Sequence, residues 1–255
     1  MPNLQKVTNS VNSANTKQQP SQVNIESGES KHLGFNELSI RAGFMRKVFS
    51  LVTIMLAVVG IMSSVPFFSN DLYDFIQQRQ WMYWASFGIF ICSYLILMCV
   101  PTVRVKFPLN IIALSIFTLA TGYMVMMVCT NYAIISIVLA FVITTASTAA
   151  VTLFALQTKY DLTSKIGYIF MASVILFCFG VTAPVAIFAY DVTFLNTIYA
   201  GVGALLSMVY LCLDIQLIMG NKKYNISPED YVFAALQLFM DIINMFLMIL
   251  RIVKK

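Results

Sequence analysis

Long apolar runs separated by short polar breaks fill the sequence from residue 48 to its end. Each run has about 20 residues, the length that an α-helix needs to cross about 30 Å of hydrocarbon. None shows the strict alternation of apolar and polar residues that is typical of a membrane-spanning β-strand. The pattern therefore predicts an all-α membrane protein, a bundle of seven transmembrane helices. The seven runs are Val48–Phe67, Trp81–Val103, Leu109–Val128, Ala133–Leu156, Ile166–Ala189, Leu195–Met219 and Tyr231–Ile252.

The first 34 residues have another character, because they are rich in Asn, Ser, Gln and Lys and offer little apolar surface to bury. Such a composition predicts a disordered polar tail over residues 1–34, followed by one transmembrane domain over residues 35–255. No apolar run precedes Val48 that would serve as a cleaved signal peptide. We therefore expect the first span to act as the insertion signal and the N-terminus to stay in the cytosol.

Composition supports the membrane assignment and excludes several kinds of site. Apolar residues make up 59% of the chain and charged residues 11%, which is too apolar for a soluble domain of this size. The five cysteines form neither a CxxC pair nor a disulfide framework, and the single histidine, His32, lies in the polar tail. We therefore expect no cofactor and no zinc site. The net charge of +5 favours anionic lipid as its partner, not nucleic acid.

Loop charges predict the orientation of the spans. With the N-terminus inside, twelve Lys and Arg residues fall on the cytosolic side and Arg79 alone falls outside. The C-terminal Arg251, Lys254 and Lys255 break this pattern, since a seventh complete crossing sends them outward. Two explanations stay open: the last segment is re-entrant, or its place in the core of the bundle overrides the charge rule.

Two acidic residues, Asp214 and Asp241, lie inside the last two apolar runs. A carboxylate in hydrocarbon costs roughly 2.5–3.5 kcal/mol on insertion scales, so such residues usually face a bundle interior or a water path. Gln237 and Asn244 share the helix face of Asp241, and Ser207 lies on the face of Asp214, seven residues before it. These polar faces predict that the two acids meet between the last two helices.

Two carboxyl groups that meet in an apolar interior tend to share a proton. When protonated, the pair closes through a hydrogen bond; when ionised, it repels and accepts a hard divalent cation such as Ca²⁺, which prefers oxygen ligands. Weak, transient binding of calcium suits permeation better than storage. The alternative is that Asp214 and Asp241 are purely structural and only fix the packing of the helices.

Several separated motifs resemble those of the transmembrane Bax inhibitor motif family, in its lifeguard branch. They occur in the expected order from about residue 35 to the C-terminus, although Ile215 stands where the family commonly has Thr. The motifs are Phe44–Val48, Phe107–Asn110, Phe154–Asp161, Leu213–Gly220, Ile226–Tyr231, Ala234–Leu236 and Asp241–Asn244.

This resemblance implies a seven-helix bundle with the last helix central, and a pH-sensitive calcium leak channel that suppresses apoptosis. Asp214 and Asp241 match the two sensor aspartates of the family, and Arg104 is the nearest candidate for a basic partner of the pair. The endoplasmic reticulum, the Golgi or the plasma membrane is the expected location. Apoptosis regulators or receptor proteins are the expected protein partners.

Other functions stay open at this point. A non-conducting scaffold would inhibit cell death by binding other membrane proteins, and a proton-coupled exchanger would move calcium only along with protons. An enzyme is disfavoured, because the membrane segments carry no histidine. The two acids also lack the Y-D and G-x-G-D motifs of intramembrane aspartyl proteases, since they follow Leu213 and Met240.

Overall fold

The computed structural model describes the backbone of residues 22–190, 194–220 and 223–253. Within these ranges it contains nine α-helices and no β-strand, which confirms the all-α prediction. In chain order the helices are α1 Gln22–Ser64, α2 Asn70–Gln78, α3 Gln80–Cys99, α4 Pro101–Val105, α5 Leu109–Cys129, α6 Ile134–Gln157, α7 Ile166–Tyr190, α8 Phe194–Met219 and α9 Tyr231–Val253.

Seven of these helices are long and apolar enough to cross a membrane, so the predicted number of spans is confirmed. They are α1, α3, α5, α6, α7, α8 and α9. The prediction that the second span continues to Val103 is wrong, because α3 ends at Cys99. Pro101 has no backbone N–H with which to continue the hydrogen-bond ladder, and it starts the short helix α4 instead.

Helix α1 begins at Gln22, well before its apolar part. Residues 22–34 are thus helical in the structure, whereas their composition predicts a disordered tail. Extending an existing helix needs no new nucleus, so polar residues can continue one that the apolar part has formed. The rest of the predicted tail, residues 1–21, lies outside the described residues. By its internal contacts the chain divides into two units, residues 1–43 and 44–255.

The core of the larger unit lies around α8 and α9. Half of the apolar stretch of each of these helices is buried inside the protein, against 11% for α3 and 6% for α7. Helix α9 packs against α8, α6 and α5. Helix α1 contributes a stripe of buried side chains at intervals of three or four residues, Phe44, Val48, Val52, Met55 and Val59. The central position of the last helix, which the family resemblance implies, stays a prediction.

A glycine ends α8 and begins the connection to α9. Gly220 has a φ of 70°, a left-handed conformation that residues with a Cβ rarely adopt. Its N–H donates to the carbonyl of Gln216, and the N–H of Ile226 returns to the carbonyl of Leu217. This closed turn ties the connection back to the last turn of α8.

Helix α9 is continuous over 23 residues, from Tyr231 to Val253. At a rise of about 1.5 Å per residue, this length suffices for a complete crossing. Its last residue meets the beginning of α6, where the Ser136 hydroxyl donates to the Val253 carbonyl at 3.4 Å. Its beginning lies beside α4, through an ion pair between Arg104 and Asp230. The re-entrant alternative for the last segment therefore does not describe this structure.

Candidate functional site

Asp214 lies in the most enclosed part of α8. Only 3% of the residue is exposed, and every residue from Leu211 to Gln216 is buried. Burial on all sides of a helix means that protein, not lipid, surrounds this turn. A carboxyl group in such a position needs a polar partner, because transferring it from water without one is costly.

The partner of Asp214 is Asp241, on the neighbouring helix α9. The two carboxyl groups lie close enough to interact with each other. Asp241 is partly exposed as a residue, but its Oδ2 atom is buried and has no hydrogen-bond partner. The pair therefore combines two interacting carboxyl groups with one unsatisfied acceptor. Such an atom is unusual, since most buried polar atoms are paired.

The other polar residues predicted on these helix faces differ in their surroundings. Gln237 lies one turn before Asp241, and its Oε1 atom is also buried without a partner. Ser207 is buried on α8. Asn244 is exposed, so the predicted stripe on α9 is enclosed only at Gln237 and Asp241. Two buried acceptors thus lie one turn apart on the same helix.

Arg104, the predicted basic partner of the acids, has a different partner. Its Nε donates to Oδ1 of Asp230 at 2.9 Å, and its guanidinium lies 4.8 Å from the ring centroid of Phe233. The assignment of Arg104 to the aspartate pair is thus corrected. Its place on α4, beyond the proline that ends α3, puts it beside the start of α9, more than two helical turns before Asp241.

Tyr94 of α3 is near the acids, and the sequence analysis did not single it out. Its hydroxyl group lies within electrostatic range of both Asp214 and Asp241. The centroid of its ring lies 6.2 Å from that of Phe117 on α5, and the centroid of Phe117 lies 5.9 Å from that of Phe239 on α9. This aromatic chain links three spans beside the acid pair. Among the many aromatic residues of α3, no feature of the sequence distinguishes Tyr94.

Gln216 is a second residue that the sequence analysis missed. It is fully buried on α8, two residues after Asp214. Its Oε1 accepts a hydrogen bond from Leu162 N at 3.0 Å, and its Nε2 donates to the Tyr160 carbonyl at 2.9 Å. The side chain thereby fixes the loop between α6 and α7 against the helix that carries Asp214. The available signal was an amide inside an apolar helix, which requires bonding partners.

A lateral cleft of about 430 Å³ lies beside the same two helices. Leu211 and Ile215, which flank Asp214, and Leu238 and Ile242, which flank Asp241, form part of its wall. Across the cleft, α6 presents Thr148, whose hydroxyl is buried without a partner. The region around the two acids therefore contains a cleft and, on its opposite wall, the unpaired hydroxyl of Thr148.

Comparison with known proteins agrees with the architecture and the motifs. Residues 41–255 match the family described as Inhibitor of apoptosis-promoting Bax1. Human Protein lifeguard 3 is 33% identical over 218 residues, which cover 86% of this chain and 70% of that protein. Mouse Protein lifeguard 3 is 33% identical over 86% of this chain and 71% of its own length.

A further relative, mouse Protein lifeguard 4, is 32% identical over 83% of this chain and 84% of its own length. The matched region contains all seven apolar runs of the sequence and both intramembrane acids. The chain is thus a multi-pass membrane protein that belongs to the Inhibitor of apoptosis-promoting Bax1 family, in its lifeguard branch.

Proposed function

We propose that the protein is a pH-sensitive calcium leak channel of intracellular membranes that suppresses apoptosis, with Asp214 and Asp241 as its gate. The observation that supports this proposal is the burial of Asp214 on α8 beside Asp241 on α9, with one carboxylate oxygen of Asp241 buried and unsatisfied. The family name and the names of the relatives support the link to apoptosis.

The gate follows from the chemistry of two carboxyl groups in contact. In a low-dielectric interior they share one proton, and the shared proton holds α8 and α9 together. Loss of that proton leaves two negative charges that repel each other. A divalent cation removes this repulsion, so deprotonation both loosens the contact and creates affinity for calcium.

Oxygen atoms available at the site suit passage better than tight binding. Calcium takes about six to eight oxygen ligands. The acid pair and the unpaired Oε1 of Gln237 supply fewer than that, so water has to complete the shell. A partly hydrated ion that is held by few protein ligands leaves again easily, as conduction requires.

Calcium flux into liposomes that contain only the purified protein tests the proposal. We expect flux at neutral pH to exceed flux at acidic pH, and Asp241→Asn to abolish the flux or its pH dependence. Asp74→Asn is the matched control, because Asp74 is an exposed aspartate of α2 outside the spans. Its flux should equal that of the wild type.

Three outcomes would contradict the leak channel. Flux that is unchanged in Asp241→Asn would remove the role of the acids. Flux that stops when the proton gradient is collapsed would indicate a proton-coupled exchanger. Absence of flux, together with protection of cells by a folded variant that lacks both acids, would indicate a non-conducting scaffold.

A further inference from the structure

Two loops converge at the end of the bundle where α6 and α8 finish. The N–H of Lys223 donates to Oδ2 of Asp161 at 3.5 Å, and the N–H of Tyr224 donates to the hydroxyl of Thr163 at 3.4 Å. These bonds join the segment after α8 to the loop between α6 and α7. Gln216 holds the same loop from inside the bundle. The two loops thus form one surface.

Three exposed lysines, Lys159, Lys165 and Lys223, lie on this surface, and we call them the basic loop cluster. Among the described residues, none of the three has an ion-pair partner. Lys159 and Lys165 lie on either side of the Asp161–Thr163 segment, to which Lys223 is bonded. The connections between the loops therefore bring three ammonium groups into one region.

The acid within this region, Asp161, offsets only part of the charge of the cluster. Oδ1 of Asp161 accepts hydrogen bonds from the hydroxyl and N–H groups of Thr163 and from Ser164 N. The hydroxyl of Thr163, followed by these backbone donors, holds the pKa of Asp161 below its ordinary value. The carboxylate therefore stays ionised and committed to the loop, and the three lysines leave an excess of positive charge at the surface.

Two exposed tyrosines beside the basic loop cluster favour a position for it at the depth of lipid headgroups. Nζ of Lys165 lies 5.6 Å from the ring centroid of Tyr168, and Nζ of Lys223 lies 5.2 Å from that of Tyr224. Both rings are exposed, at the points where α7 begins and shortly after α8 ends. Tyrosine favours the interface between membrane and water, and the cation over each ring is thereby held at the same level.

We propose that Lys159, Lys165 and Lys223 together bind the headgroup of an anionic phospholipid. Three lysines on joined loops, without ion-pair partners among the described residues, attract a headgroup with a net negative charge more strongly than a zwitterionic headgroup. Each lysine near the surface contributes about a fivefold gain in affinity for anionic lipid. This site is separate from the acid pair and does not depend on the proposed calcium flux.

Native mass spectrometry of the purified full-length chain tests the site, after exchange into detergent with phosphatidylserine or phosphatidylcholine. We expect the wild type to retain phosphatidylserine in preference to phosphatidylcholine. The triple variant Lys159→Gln, Lys165→Gln, Lys223→Gln should bind phosphatidylserine about a hundredfold more weakly, from about fivefold per lysine. The matching triple Lys→Arg variant should retain binding, because it keeps the charges.

Lys106→Gln is the matched single control for Lys165→Gln. Lys106 is an exposed lysine of the α4–α5 connection, at the same end of the bundle but outside the cluster. An equal loss of lipid in both single variants would overturn the proposal, and so would retention of phosphatidylserine by the triple Gln variant. If that variant does not fold, the two single variants and the Lys→Arg triple still decide the matter. Equally tight binding of soluble glycerophosphoserine would assign the site to a free anion and overturn the lipid assignment.

Discussion

Two buried polar residues of α8 show how neighbouring side chains can serve different ends. Gln216 has both ends of its amide bonded to the loop backbone, so its burial costs little. Asp214, two residues earlier, has another acid as its partner. Such a contact depends on a proton that can leave. The amide of Gln216 therefore stabilises a single arrangement of the loop. Two carboxyl groups in contact have, in the proposed gate, a protonated and an ionised state.

Replacement of Gln216 by leucine tests the stabilising role. The variant removes the hydrogen bonds to Leu162 N–H and to the Tyr160 carbonyl. At about 0.5–1.5 kcal/mol for each bond, we expect the free energy of unfolding to fall by about 1–3 kcal/mol. Thermal unfolding in detergent measures the change. Gln157→Leu is the control, because Gln157 is exposed at the end of α6. Equal stability of the two variants would show that the hydrogen bonds of Gln216 contribute nothing.

Residue patterns predict the acids better than they predict their neighbours. The positions of Asp214 and Asp241 in consecutive apolar runs suffice to place them together, because a lipid-facing acid is costly. The partner of Arg104 does not follow from the pattern, since it depends on where α3 ends and on how α4 packs beside Asp230. Tyr94 reaches the site through tertiary packing alone.

At the scale of elements, the contact between α8 and α9 depends on a glycine. A Cβ at Gly203 would lie 3.0 Å from Sδ and 3.2 Å from Cγ of Met248 on α9. The two helices approach closely there because no side chain separates them, as small residues allow in membrane bundles. This contact lies on the two helices that carry the acids. The size of residue 203 therefore limits how closely α8 and α9 can pack at this point.

A valine at position 203 should push the two helices apart. We expect Gly203→Val to lower the free energy of unfolding by about 1–3 kcal/mol, the usual cost of overpacking. Gly201→Val is a close control on the same helix, because a Cβ at Gly201 meets nothing within 4 Å. Thermal unfolding of both variants in detergent checks the prediction. If Gly203→Val is as stable as Gly201→Val, the side chain of Met248 moves aside without lowering the free energy of unfolding, which would contradict the prediction.

The number of spans could be read from the sequence because each apolar run is about as long as a bilayer is thick. The ends of the helices were harder to predict from the sequence. Pro101 divides the predicted second span into α3 and α4, and α1 extends back into polar residues that have no apolar signal. The course of the last segment also required coordinates, since charge counting left a re-entrant loop as an alternative. The Ser136–Val253 contact and the unbroken α9 decide in favour of a complete crossing.

At the scale of the whole molecule, seven helices are long and apolar enough to cross a membrane, and seven crossings would put the two ends of the chain on opposite sides. An odd number of spans requires this, whichever way the protein is inserted. With the predicted cytosolic N-terminus, Arg251 near the end of α9 would lie on the outer side, against the usual bias of Lys and Arg. Burial of half of the apolar stretch of α9 offers the reason, because packing against α5, α6 and α8 opposes its withdrawal.

A glycosylation acceptor fused to either end of the chain tests this topology. In cells, we expect an acceptor placed after Lys255 on a short polar linker to be glycosylated, and the same acceptor placed before Met1 to remain unmodified. Removal of the glycan by an endoglycosidase identifies the modified band on a gel. Replacing Arg251 by Gln should leave the result unchanged, because packing of α9, not charge, sets its course. Modification of neither fusion or of both would show that the last helix does not cross, and modification of the N-terminal fusion alone would reverse the predicted orientation.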